Sequence, residues 1–306
     1  MIKKLTLLIG VLFMIGIFGG CGGDQKAKSS IVIYDGQFSE MKIIHQMVKL
    51  LVEEHTDARV EIRDEMSPVN NYRDLVAGGG SDLMNSYDGT LLTTYLKVDV
   101  SEVPEDKTLY EYANELSSEK DKVHLLDPLG HENTYAVAVT QAMADEYGLE
   151  TISDLIDLAP GLVFGAEHEF FSEEGSMKYG PFTKFYGLDF KEGKAIDMAL
   201  KYSAIENGNI DVTEVYSTDG MNKKVGLKVL KDDLKFFPEY NDALLVRNDL
   251  FERFQDIAPN LEEVLNMLGG RFTNEIMTNL TYEVDVNGKT PEEVAKTFLI
   301  EQGLLE

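Results

Sequence analysis

The residues of this 306-residue chain that could do chemistry are five histidines, one cysteine, a triple glycine and a large set of aromatic rings. The histidines, at 45, 55, 124, 131 and 168, are scattered, with no two at metal-ligand spacing. His168 lies in Ala166-Glu167-His168-Glu169, which lacks the second histidine of a zinc-protease helix. Gly78-Gly79-Gly80 falls between a helical and a strand pattern and reads as a turn, not as a phosphate loop. No GxSxG elbow is present. No nucleophile, base or metal set is visible, so the chain does not read as an enzyme and calls for no cofactor and no metal. The 14 tyrosines and 15 phenylalanines offer another chemistry. An aromatic face attracts a cation through its quadrupole and packs against apolar surface as well.

Charge narrows the partners. The chain carries 54 acidic against 28 basic residues. Nucleic acid is disfavoured, because phosphate contacts need Lys and Arg. Docking of the protein surface on an anionic membrane face is disfavoured for the same reason. A cationic ligand is compatible, although most of the acidity reads as a solvated surface.

The lone Cys21 excludes an intramolecular disulfide. It follows Met1-Ile2-Lys3-Lys4, an apolar run from Leu5 to Phe18, and Gly19-Gly20. A charged start, an apolar stretch and small residues before a cleavage point make a signal peptide. The apolar run is short of the roughly 20 residues of a membrane span. The Phe18-Gly19-Gly20-Cys21 tetrapeptide resembles a bacterial lipobox. That resemblance implies cleavage before Cys21, a lipid on its thiol, and a chain held at the outer face of the cell membrane. Residues 21–30 read as a flexible tether.

The elements that must position a site alternate. Ile31–Tyr34 reads as a strand, and Ser39 as the cap of a helix with apolar positions at Ile43, Ile44, Met47, Val48, Leu51 and Val52. Strands are expected at 58–62, 82–85, 134–140, 163–166 and 210–216, and helices near 72–77, 153–159 and 194–207. Thr290-Pro291-Glu292-Glu293 reads as a capping box that opens a last helix through Glu301. Such alternation predicts an α/β fold with mainly parallel sheets.

Several segments, in order, resemble the osmoprotectant-binding lipoproteins of ABC importers for glycine betaine, carnitine and choline. They are Gly36-Gln37-Phe38-Ser39-Glu40, Ser67-Pro68-Val69, Tyr87-Asp88-Gly89-Thr90 and Asn133-Thr134-Tyr135-Ala136. The series continues with the stretch from Pro160 to Phe171, Tyr216-Ser217-Thr218-Asp219-Gly220, Phe236-Phe237-Pro238-x-Tyr240 and Tyr282-x-Val284-Asp285-Val286. The likeness covers residues 31–306. It implies a two-lobed clamshell of the type II periplasmic-binding-protein kind with two crossings between lobes. Lobe I would hold residues 31–126 and 232–306, and lobe II residues 127–231. It implies an ABC permease as partner and a cation cage of Tyr87, Tyr135, Tyr216 and Tyr240, split across the cleft. Gln37 and Thr90 would meet the polar end of the ligand. Asp88, beside Tyr87, is expected to point to solvent.

A trimethylammonium group suits such a cage, because it has no N–H to donate and spreads its charge over methyl groups. Other readings stay open on the sequence: a receptor for another small cation such as a polyamine, a surface enzyme acting on choline esters or phosphocholine, or a scaffold without a ligand.

Overall fold

The computed structural model describes residues 30–172, 177–238 and 240–306. Cys21, the signal-like segment before it and the tether up to residue 29 lie outside the described residues. Among the described residues no helix is long and apolar enough to cross a membrane.

β1 (Ser30–Tyr34) leads into α1 (Ser39–His55), whose apolar stripe from Ile43 to Val52 is fully buried. The chain returns along β2 (Arg59–Arg63), parallel to β1. α2 (Pro68–Ala77) follows, with Pro68 in its first turn. It ends on Gly78 at φ +68°, a left-handed position that favours glycine. The triple glycine is a turn, as expected, and the Asp74 carboxylate accepts from the N–H groups of Gly80 and Ser81. β3 (Leu83–Tyr87) is tied to β1 through Asp82. Its carboxylate accepts from Val32 N–H at 2.9 Å, and its own N–H donates to Val32 O at 2.8 Å. β4 (Val123–Leu125) closes this first stretch.

A second sheet, in the order β7-β6-β8-β5-β9, comes from the middle of the chain. It holds β5 (Tyr135–Thr140), β6 (Val163–Ala166), β7 (Glu192–Ala195), β8 (Val212–Tyr216) and β9 (Leu227–Leu230). The chain then goes back, and β10 (Asp242–Arg247) inserts antiparallel between β3 and β4. β10 and β5 have the same design. Leu244 and Val246 enter a core with α1 and the C-terminal helices, while Ala243 and Leu245 face a second core with Tyr72, Leu91 and Leu92. In β5, Val137 and Val139 face one core and Ala136 and Ala138 another. A strand covered on both faces reads as a continuous apolar run, which is how AVAV and ALLV read here.

The fold is α/β with mixed sheets. β1–β2, β6–β7 and β6–β8 are parallel, whereas β10 and β5 pair antiparallel with both neighbours, so parallel pairs are fewer than alternation suggested. The strands entered from the other half of the molecule are the ones that run antiparallel. Three local expectations change. Ser39 does not cap α1, and its hydroxyl donates to Asp285 instead. The stretch 153–159 is two 3-10 turns, Ile152–Leu155 and Ala159–Gly161, because Asp154 turns back to the N–H groups of Glu150 and Thr151. The segment 194–207 starts as β7, held by pairing with β6, and becomes helical only at Met198. The capping box at Thr290 forms as read.

Candidate functional site

Gln37, Tyr87, Thr90, Tyr135, Tyr216 and Tyr240 all line one cavity of about 460 Å³. Each arrives by a different local route. Tyr87 ends β3 and lies opposite Asp242, the first residue of β10. Tyr240 stands two positions earlier, and its ring passes so close over Gly89 that a Cβ there would fall 2.0 Å from ring carbon Cε2. That contact is the reason for glycine in Tyr87-Asp88-Gly89-Thr90. The two rings stack with centroids 5.8 Å apart. Tyr135 and Tyr216 are direct cross-strand partners on β5 and β8, with ring centroids 5.4 Å apart. The cavity therefore carries two tyrosine pairs, one from each sheet system.

Hydroxyl partners set the ring orientations. Tyr87 donates to Glu40, and Tyr216 donates to Glu167 at 3.0 Å. The Tyr240 and Thr90 hydroxyls share a hydrogen bond of 2.9 Å, so Thr90 positions a ring in this state. Burial, first among the causes, pushes all four phenols above their ordinary pKa, and nearby carboxylates add to it. The rings stay neutral and keep their protons for these bonds. Gln37 is exposed on the cavity rim.

Asp88 is a correction. It is fully buried, not solvent-facing. Its carboxylate accepts from the N–H groups of Gly89 and Asn241 and from the Asn241 side chain at 2.8 Å. Burial pushes it up to about 7, against these bonds. Asp88 thus clamps the end of β3 to the start of β10 and sets the approach of Tyr240. The polar residue after Tyr240 is structural.

Sequence reasoning missed a polar cluster behind Tyr87. Glu40, His131 and Asp242 are all buried, with His131 Nε2 3.0 Å from Asp242 Oδ2 and 3.4 Å from Glu40 Oε1. Asn133 donates to the same Glu40 oxygen at 3.2 Å, and Asn85 donates to Asp242 at 2.5 Å. Burial opposes the imidazolium, but hydrogen bonds and charge from both carboxylates overcome it and raise His131 to about 10. Burial is the largest single influence on Glu40 and raises it, but the hydrogen bond and charge of His131 with the Thr218 and Tyr87 hydroxyls together lower it. Burial pushes Asp242 up to about 6. Among the described residues these three also bring metal-ligand atoms within 4.8 Å of one another. With the proton on His131 the cluster is an ion-paired triad.

Behind the other pair lie ammonium groups. Lys201, fully buried, donates to Glu214 at 3.1 Å and sits 5.2 Å from the Tyr216 ring centre. Lys178 lies 5.8 Å from the Tyr135 ring centre and bonds Glu169 at 2.7 Å. Among the described cavity-lining residues none is Lys or Arg, while Glu40, Asp219 and Asp285 are acidic.

The family described as the substrate-binding domain of the ABC-type glycine betaine transport system, OpuAC, matches residues 29–301. The chain belongs to the OpuAC family. It is similar to an ergothioneine transport permease/ergothioneine binding protein, EgtU, of Helicobacter pylori strain G27, with 30% identity over 274 residues. That match covers 90% of this chain and 48% of the relative, so the chain spans about half of the relative's length. The carnitine transport binding protein OpuCC of Listeria monocytogenes strain 10403S is 32% identical over 290 residues, 94% of this chain and 91% of the relative. The solved structure of a glycine betaine/carnitine/choline ABC transporter superposes with a TM-score of 0.81 at 31% identity, over 90% of this chain and 99% of that one. The OpuAC fold is thus the type II periplasmic-binding-protein arrangement expected from the resemblance.

Proposed function

We propose that this chain captures a quaternary-ammonium solute, such as glycine betaine, carnitine or choline, between its four cavity tyrosines and presents it to the permease of an ABC importer. The observation that carries this reading is the meeting of two tyrosine pairs, from two sheet systems, in one cavity with no Lys or Arg among its described lining residues. Tyrosine faces in a desolvated site contribute up to about 2 kcal/mol each toward a cation. Three or four such faces reach the micromolar range, about −8 kcal/mol, after losses on association. Lobe I is read as residues 31–126 and 232–306, and lobe II as 127–231. Tyr87 and Tyr240 then belong to lobe I, and Tyr135 and Tyr216 to lobe II. A cage divided in this way couples ligand capture to closure of the lobes. Gln37 and Thr90 are assigned to the polar end of the ligand. A lipid on Cys21 would hold the protein at the outer face of the membrane.

Calorimetry with glycine betaine, carnitine and choline tests the reading. Binding of at least one in the micromolar range supports it, and silence from all three sinks it. Release of Cys21→Ser into the medium tests the anchor, and normal membrane retention would defeat it.

A second reading is favoured by the wall beyond the cage. Met177, Met198, Asp219 and Asp285 line the same cavity. Thioethers pack against flat polarisable rings, and carboxylates accept from ring N–H groups. A larger betaine bearing such a ring, ergothioneine, belongs in the same calorimetric panel.

A further inference from the structure

Glu40 occupies an unusual place in the cavity wall. It stands in the first turn of α1, is 3% exposed, and yet lines the cavity. Its Oε1 is well supplied, by the Tyr87 hydroxyl, the Asn133 amide and His131. Its Oε2 is buried and has no hydrogen bond of ordinary geometry, although the Thr218 side chain faces the carboxylate. A buried acceptor left without a donor costs free energy. Among the described residues it is the one carboxylate oxygen in this condition that belongs to a cavity-lining residue. Charge points the same way. Two carboxylates share one imidazolium, so the triad carries one net negative charge directly behind a cage ring.

We propose that Glu40, held in place by His131 and Asp242, is the fixed counter-anion of the cation cage, and that this buried triad makes the site choose ligands by their positive charge. The inference rests on the reading of the cavity as a quaternary-ammonium site. A trimethylammonium group cannot donate an N–H to Oε2, but its polarised methyl groups carry the positive charge that the carboxylate attracts. In a water-poor cavity that attraction is far less screened than in solvent. Choline, a net cation, gains the full attraction, whereas glycine betaine brings its own carboxylate and gains less. The triad also joins separate parts of the chain. Glu40 comes from α1, Asp242 from β10, and His131 and Asn133 from the segment that leads into β5.

The charge of the triad depends on pH. The charged groups acting on Asp242 are His131 and Glu40, with the Asn85 amide beside them. The charged group acting on Glu40 is His131, with hydrogen bonds from the Thr218 and Tyr87 hydroxyls beside it. Burial raises Asp242 to about 6, so below that pH it takes a proton and the net negative charge is lost. A bound cation favours the ionised form, and by reciprocity affinity falls as that proton is taken up.

The test is calorimetry of the intact chain with choline and glycine betaine from about pH 5 to about pH 7.5. The wild type is expected to bind choline about fivefold more weakly at about pH 5 than at about pH 7.5. Glu40→Gln is expected to weaken choline binding about tenfold at the upper end, weaken glycine betaine less, and flatten the pH profile. Tyr87→Phe removes the hydroxyl bond and leaves the carboxylate, so it should keep the sloped profile. Equal choline affinity in Glu40→Gln and wild type overturns the proposal, and so does a flat wild-type profile. If Glu40→Gln does not fold, the wild-type profile decides. If the wild type binds neither ligand, the reading of the cavity falls too. If it binds and Glu40→Gln matches it, only the counter-anion role is lost.

Discussion

The two tyrosine pairs of the cavity differ in what stands behind them. Tyr87 and Tyr240 are backed by Glu40, His131 and Asp242, a triad with a net negative charge. Tyr135 and Tyr216 are backed by Lys201 and Lys178, each held by its own carboxylate. Their means of alignment differ too. The second pair is fixed by strand register, since Tyr135 and Tyr216 face each other across β5 and β8. The first pair is assembled from separate stretches by Gly89, Asp88 and Thr90. One pair of rings stands beside a charged triad, and the other beside the protein's own ammonium groups. On the proposed reading, four residues of one type are therefore not four equal contributors.

The strongest way to break this contrast is to remove Lys201. Lys201→Met leaves Glu214 buried without its partner, and breaking a buried pair costs about 3–5 kcal/mol. Burial already pushes Glu214 up to about 7, so part of the cost is relieved by protonation and the lower figure is expected. Thermal unfolding should show the loss, and the double replacement Lys201→Met with Glu214→Leu should recover most of it.

On the other side, the triad is broken by alkali. His131 has its pKa raised to about 10 from an ordinary value near 6.5. Its stabilising contribution is complete below that ordinary value and is lost as pH rises through about 10. The melting temperature should fall between pH 7 and pH 10, with the lost proton detectable by NMR of the His131 ring. A ring that is already neutral at pH 7 would refute the triad as drawn.

Ring substitutions come next in size. Tyr135→Leu should lose about 1–2 kcal/mol of ligand binding, and Tyr135→Phe nearly none. Tyr87→Leu should lose more than Tyr135→Leu, because it removes a face that stands in front of negative charge. Equal losses at the two positions would erase the comparison. The smallest effect belongs to Lys178→Met. Its ammonium is 5.8 Å from the Tyr135 ring centre and partly solvated, so removal should change affinity by less than about 0.5 kcal/mol.

Much of the fold was legible from local pattern. The buried stripe of α1, the AVAV run of β5 and the capping box at Thr290 depend on residues a few positions apart, and each formed as read. Where local pattern misled, a neighbour in space intervened. Ser39 is a good cap by type, yet its hydroxyl goes to Asp285 of a distant helix. Residues 194–195 have no strong strand character, yet β6 lies beside them and pairs with them. The aromatic members of the candidate site were legible through motifs. The polar members were not, because no motif links Glu40, His131 and Asp242.

Composition and periodicity by themselves pointed to an acidic α/β protein with covered strands and a signal-like start. The osmoprotectant-binding family and six candidate ligand contacts came from resemblance of short motifs, which survive in a linear reading. Tertiary structure alone decided the charges around the rings. Asp88 reads as a solvent-facing carboxylate and is a buried clamp, and His131 reads as an isolated histidine and is an imidazolium between two carboxylates. The physical reason is range. Ionisation and desolvation depend on what lies within a few ångströms in space, and the partners of these groups are brought there by β10 crossing back to pair between β3 and β4.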